Sequence, residues 1–284
     1  MAVRLVMTSK GIGRLAPDEA TIELLASPYP DIWTALQDGA GLAGLAAAAV
    51  TGECERAALD VLPPVAWPRQ LWAVGLNYAE HVAEINGAQL SEPFIFPKAT
   101  SAIIPDGAAI RVPRHYPDSI DYEGEMALVI GRPARNVTAA DAWAYVAGLT
   151  ICNDVSARQP QKGGPGVRAN ISMAKSLDTF APLGPALAVR ETIGNPDDLA
   201  LATYVNGEVR QSARTSEMIF SVPALLEFLT ARVTLHPGDI VSTGTPEGVG
   251  DITGRFLQPG DSVRIELEEV GSLTNPVVAE DSAP

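Results

Sequence analysis

At 284 residues, with 46% hydrophobic and 19% charged residues, the chain has the composition of a globular protein, long enough for one large domain or a large and a small one. Its formal net charge of −14 argues against nucleic acid, because no basic stripe could offset it, and disfavours anionic membrane surfaces. An acidic body can still hold a local positive site for a small acid.

The N-terminal stretch Met1-Ala2-Val3-Arg4-Leu5-Val6 lacks the long apolar segment of a signal peptide. Residues 1 to about 62 alternate short strand-like pieces with an alanine-rich segment from Gly41 to Val50. That segment is too short to span a bilayer and reads as the core of a packed helix. Pro63-Pro64 and Pro68 then punctuate the chain. They place a boundary near residue 65, between a small N-terminal domain (1–65) and a larger one (66–284).

From Leu71 onward the pattern is short β-like runs set off by Gly and Pro: Leu71–Val74, Met126–Ile130, Ala147–Cys152, Ala200–Val205, Ile240–Thr243 and Ser262–Leu267. Asn206-Gly207 is a hairpin signal, and two Pro-Gly-Asp turns each lead into a strand. Helical patterns are confined to Tyr78–Ile85, Ala139–Tyr145 and Val222–Thr230. The expected fold is therefore mainly β (α+β), with a few flanking helices rather than a doubly wound sheet.

Cys54 and Cys152 are isolated, which argues against thiolate zinc ligation and a disulfide framework and points to a reducing cytoplasm. His115 and His236 fall in loop-like sequence and carry no role. Trp72 and Trp143 read as packing residues.

Glu123 and Glu125 open the strand-like run in Asp121-Tyr122-Glu123-Gly124-Glu125, and period-two alternation points both carboxylates the same way. Such a pair can simply face solvent. Ala127 and Val129, however, continue the same face and imply partial burial. Two like charges about 4 Å apart repel by about 4 kcal/mol at an effective dielectric near 20. A partner cation or a retained proton relieves that, and a hard divalent ion (Mg²⁺, Mn²⁺ or Ca²⁺) is the economical answer. Asp154, at the end of a second strand, supplies a third carboxylate.

His81 and Glu84 share one helix face at i,i+3, either as a surface pair or as a dyad able to deprotonate water. Lys175, with Asp178 three residues on, reads as a structural salt bridge or as a cation for a developing enolate. The loop Thr243-Gly244-Thr245-Pro246-Glu247-Gly248-Val249-Gly250 lacks the ending of a P-loop. Its glycines permit tight turning, or let Thr245 and backbone amides approach a ligand.

Together these strings resemble the fumarylacetoacetate hydrolase family over roughly residues 71 to 278. They run Gly75-x-Asn77-Tyr78-x-x-His81-x-x-Glu84, Asp121 to Glu125, Asn153-Asp154-Val155-Ser156-Ala157-Arg158, Lys175-Ser176-x-Asp178-Thr179-Phe180, Arg214 to Ile219, and Thr243 to Gly250. The resemblance implies a mixed β-roll, a homodimer, and Mg²⁺ or Mn²⁺ held by Glu123, Glu125 and Asp154. It implies a lid helix bearing His81 and Glu84, an active-site Lys175, and substrate contacts from Arg158, Gln161 and Thr245. Gln159, Ala174 and Ala99 depart from the family pattern and bear on pocket shape.

The expected activity is hydrolytic C–C cleavage of an acylpyruvate-like 1,3-dioxo acid in aromatic catabolism, with His81-activated water and an enolate leaving group. Decarboxylation or tautomerisation of an oxaloacetate-like acid, and hydration or isomerisation of a 2-oxo-enoic acid, use the same intermediate. A binding protein without catalysis would lack His81, Glu84 or Lys175, and all three are present.

Overall fold

The computed structural model describes residues 2–39 and 41–280. Its centre is the strand Gly124–Ile130, all seven residues of which are buried. Val146–Asn153 and Ala181–Val189 are buried along their whole lengths as well. Their near-continuous apolar sequence is the mark of strands covered on both faces.

Gly124–Ile130 pairs antiparallel with Val146–Asn153 on one side and with Ile240–Ser242 on the other. Beyond Ile240–Ser242 the sheet continues through Leu71–Gly75, the parallel neighbour, to Phe94–Lys98 at one edge. In the other direction it passes through Ala181–Val189 to Arg4–Thr8, Gly11–Leu15, Thr21–Leu25 and Val50–Glu55. The N-terminal strands thus hydrogen-bond directly into the long sheet, in the register Arg4 opposite Ala188 and Leu5 opposite Leu187. Val6, Leu15, Ile22 and Val61 gather with Ala186 into a small apolar cluster of their own.

A second sheet, Glu208–Arg214, Ala200–Val205, Ser262–Leu267, Gly271–Ala279 and Ile110–Val112, packs against the first. Gly124 marks the contact. A Cβ there would lie 2.1 Å from Thr203 Oγ1 and 3.2 Å from the side chain of Ile265. Glycine lets the two sheets close up at this point while its neighbours Glu123 and Glu125 turn to the opposite face. The Glu-Gly-Glu triplet therefore packs through its glycine on one side and presents two carboxylates on the other.

The expected mainly β architecture is observed, and the six strand-like runs all lie in strands that differ from expectation only at their ends. The Asn206-Gly207 hairpin joins Ala200–Val205 to Glu208–Arg214. The helical patterns become Ala79–Glu84, the 3-10 segment Ala139–Tyr145, and Val222–Thr230.

One reading needs correction. The alanine run forms only the six-residue helix Gly41–Ala46, of which Gly41 and Leu45 are buried, and its end is largely exposed. Alanines alone bury too little area to make a core helix. Ala181–Val189, a strand that the sequence analysis did not name, carries Pro182, Gly184 and Pro185, which interrupt the usual strand pattern. Its neighbours on both sides supply enough pairing to carry those interruptions.

Candidate active site and metal centre

The site forms where the buried central strands end. Glu123 precedes Gly124–Ile130, Glu125 lies just inside it, and Asp154 follows the adjacent strand Val146–Asn153. The antiparallel register sets Gly124 opposite Asn153 and so brings the three carboxylates to one place. Each offers an oxygen within 4.8 Å of the others, and all three residues are buried.

Three cations surround them. Lys175 Nζ lies 2.6 Å from Glu123 Oε2 and 2.8 Å from Asp154 Oδ2. Lys175 thus pairs with these two acids and not with Asp178. Lys98 Nζ donates to Asp154 Oδ1 at 2.5 Å and to the Lys175 backbone carbonyl. Arg158 Nη2 lies 2.6 Å from Glu123 Oε1 and 2.8 Å from Asp121 Oδ2. Its Nη1 donates to Gln161 at 2.9 Å. Counting Asp121, four buried carboxylates face three buried cations, so one negative charge is uncompensated.

That excess sits on Glu125. Its Oε2 accepts from Ser242 Oγ at 2.5 Å and from the Gly244 amide at 3.0 Å, whereas its buried Oε1 has no partner among the described residues. Burial, with Asp154 and Glu123 as like-charged neighbours, pushes the Glu125 carboxyl well above the usual carboxylate range. For Glu123 burial acts the same way, but Lys175 and Arg158 outweigh it and hold the group below that range. Burial also opposes the charge on Lys175, yet Asp154 and Glu123 dominate and keep it an ammonium.

A buried carboxylate oxygen with no donor is costly, and an all-oxygen cluster with one surplus negative charge fits a hard divalent cation. Neither cysteine belongs to the oxygen cluster. Both cysteines are free, and burial pushes the Cys152 thiol up to about 12.

The dyad faces this cluster from the short helix Ala79–Glu84. Glu84 Oε1 is 2.6 Å from His81 Nδ1, and its Oε2 accepts from the Gly248 amide at 3.0 Å. Gly248 has φ +96, and a Cβ there would stand 2.1 Å from the Arg210 carbonyl oxygen, so only glycine can present that amide. The glycine-rich loop is thereby tied to the helix. Thr245 Oγ1 donates to the Gly124 carbonyl at 3.1 Å and accepts from Gln211 at 2.8 Å.

One cavity of about 680 Å³ is lined by His81, Glu84, Glu123, Arg158, Gln161, Lys175 and Thr245. Glu125 and Asp154 do not line it, but they share the carboxylate cluster with Glu123, which does, and Asp154 pairs with the lining residue Lys175. All nine residues singled out in the sequence therefore converge. His115 and His236 stand apart from it.

Sequence reasoning assigned no role to several supporting residues. Asp121 accepts from the Gly250 and Asp251 amides and pairs with Arg158. Asn77 bridges the carbonyls of Phe220 and Thr243. Lys98 is fully buried at the end of the edge strand Phe94–Lys98. A lysine closing an apolar, aromatic strand was the available signal. Lys98→Met should destabilise the protein by about 3 kcal/mol, the low end for a broken buried pair, because Lys175 still compensates Asp154. Urea unfolding of the variant checks this; an unchanged midpoint would show that Lys98 is not needed under Asp154.

A mainly β fold with an acidic oxygen cluster at its strand ends, beside a cavity lined by a His–Glu dyad and a lysine, fits an enzyme with a divalent-ion site. The chain belongs to the fumarylacetoacetate hydrolase family: the "Fumarylacetoacetate (FAA) hydrolase C-terminal" model matches residues 70–278. It is 43% identical over 227 residues to the mitochondrial oxaloacetate tautomerase of Bos taurus, covering 78% of this chain and 71% of that one. Its structure is similar to that of 2-hydroxyhepta-2,4-diene-1,7-dioate isomerase from Mycobacterium marinum, at 35% identity and TM-score 0.78 over 99% of this chain and 100% of the other. It is also similar to maleylpyruvate hydrolase from Sphingobium in complex with manganese(II) and pyruvate, at 27% identity and TM-score 0.79 over 98% and 100%. No helix among the described residues is long and apolar enough to cross a membrane.

Proposed function

We propose that this protein is a Mg²⁺- or Mn²⁺-dependent enzyme that forms and reprotonates the enol of a small 2-oxo acid, with keto–enol tautomerisation of an oxaloacetate-like acid as its activity. The observation that carries this reading is the buried Glu125 Oε1, which has no hydrogen-bond partner among the described residues, in a carboxylate cluster with Asp154 and Glu123, the last of which also lines the cavity bearing the His81–Glu84 dyad. The identity with a tautomerase supports it further.

A divalent ion held by Glu123, Glu125 and Asp154 would act as a Lewis acid toward a 2-oxo acid, making the carbon beside the keto group more acidic. The chain's own residues supply the rest. Arg158 and Gln161 orient the substrate acid group, and Thr245 shapes the floor beside it. Lys175 donates hydrogen bonds where negative charge grows on oxygen. Glu84 holds His81 by Nδ1, leaving Nε2 to take and return the proton at carbon. The Glu84–Gly248 bond fixes the helix over the cavity, which limits water around the enol.

Hydrolytic C–C cleavage of an acylpyruvate is the second reading. The same His81–Glu84 pair could deprotonate a water, and the similarity to a maleylpyruvate hydrolase supports it.

The test is enol-oxaloacetate turnover, followed by the loss of enol absorbance with Mg²⁺ or Mn²⁺ and after chelation. Metal-dependent acceleration is expected. Full turnover after exhaustive chelation would sink the reading. Acylpyruvates in ¹⁸O-labelled water decide the second reading, since label entering the released acid requires water attack.

A further inference from the structure

Resting on that reading, we infer that Gln211, on the second sheet, is a positioning residue: it fixes Thr245 as a hydrogen-bond acceptor toward the ligand, so that the site grips its 2-oxo acid by the enol hydroxyl. The strand Ile240–Ser242 pairs with Ala127 to Val129 and stops short of Gly124, the residue between Glu123 and Glu125. The Met126 carbonyl still accepts from the Thr243 amide at 3.0 Å. One step of the pleat further, Gln211 and Thr245 take the place of a strand. Gln211 Oε1 accepts from the Gly124 amide at 3.0 Å, and its Nε2 donates to Thr245 Oγ1 and to the Pro246 carbonyl, each at 2.8 Å. Thr245 Oγ1 donates in turn to the Gly124 carbonyl at 3.1 Å, which closes a buried ring of three residues.

Every proton in this ring has one place. The Gly124 N–H can meet only the amide oxygen of Gln211, and the Pro246 carbonyl only its NH₂, so the amide cannot be turned round. The other N–H of that NH₂ points at Thr245 Oγ1, whose own proton goes to the Gly124 carbonyl. A hydroxyl has one proton and two lone pairs, so a single lone pair is left for a ligand. Turning the proton outward would take a donor from the buried Gly124 carbonyl. Thr245 lines the cavity together with Arg158 and Lys175, which are donors only. A keto oxygen or a carboxylate set against Thr245 would meet lone pair with lone pair, whereas the O–H of an enol meets an acceptor.

The test is calorimetric binding of pyruvate and of both lactate enantiomers to the Mg²⁺-loaded protein, a readout independent of turnover. Pyruvate carries a bare carbonyl oxygen on its second carbon, and lactate carries an O–H there, as the enol does. Thr245→Val should weaken the tighter lactate enantiomer about 5- to 10-fold and pyruvate by less than about 2-fold. Gln211→Leu frees the Thr245 hydroxyl to turn its proton toward a ligand, so the ratio of lactate to pyruvate affinity should fall about 3- to 10-fold. Added to Thr245→Val, the same change should leave the ratio where it was. A Gln211 that only held the sheets together would weaken both ligands alike. Equal losses of pyruvate and lactate in Thr245→Val, or a ratio unmoved in folded Gln211→Leu, would overturn the inference. Thr245→Val keeps Gln211 in place and decides the acceptor claim even where Gln211→Leu does not fold. Failure of pyruvate and both lactates to bind the parent would instead overturn the proposed function beneath it.

Discussion

Glu125→Gln is expected to be inactive and, stripped of metal, more stable than the parent. The two effects have one cause. Glu125 is a carboxylate with a buried oxygen that none of the described residues donates to, beside two other acids. The amide can keep the bonds from Ser242 and Gly244 through its own oxygen while removing the surplus charge. Turnover should fall about 10³-fold or more, since a Lewis acid contributes several kcal/mol to such a barrier.

The gain in metal-free stability should depend on pH. The carboxyl value is raised in the folded state, so the folded protein holds a proton that the unfolded chain releases near pH 4.3. Stability from that proton is complete below this value and disappears as pH rises through the folded-state value. The parent without metal should therefore weaken as pH rises above the carboxylate range, and Glu125→Gln should weaken less. Thermal unfolding in chelator at pH 5 and pH 8 reads the difference directly. A variant less stable than the parent at pH 8 would mean that Glu125 is not an unrelieved charge.

His81→Ala is expected to separate the chemistry from the metal. His81 contacts Glu84 and lines the cavity, yet it is not among the clustered carboxylates. Loss of a positioned acid–base group should lower kcat by about 10²–10⁴-fold. Metal affinity should stay nearly as it was. If that variant lost its metal, His81 would belong to the cation site and the division of labour proposed here would fail.

Much of the site was legible in the sequence because its residues lie at strand ends whose apolar runs are easy to see. Glu123-Gly124-Glu125 precedes an unbroken run of buried aliphatics, and Asp154 follows another. The buried cations were harder to read. Lys98 and Asp154 are 56 positions apart, and Lys175 and Glu123 are 52 apart, so only the tertiary fold reveals their pairing. Gly124 shows why pattern alone falls short: its neighbours announce a ligand pair, but the contact with Thr203 that demands glycine comes from another sheet. Ala181–Val189 was hidden for a related reason, since its prolines obey local rules that its two flanking strands override.

Beneath all of this lies one proposal: three buried acids share a single divalent ion. Titrating Mn²⁺ into the metal-free protein, with the free ion counted by electron paramagnetic resonance, addresses it without reference to any substrate. One tight site per chain, lost in Glu125→Gln and retained in His81→Ala, is the expected result. No tight site, or a stoichiometry indifferent to Glu125, would contradict it.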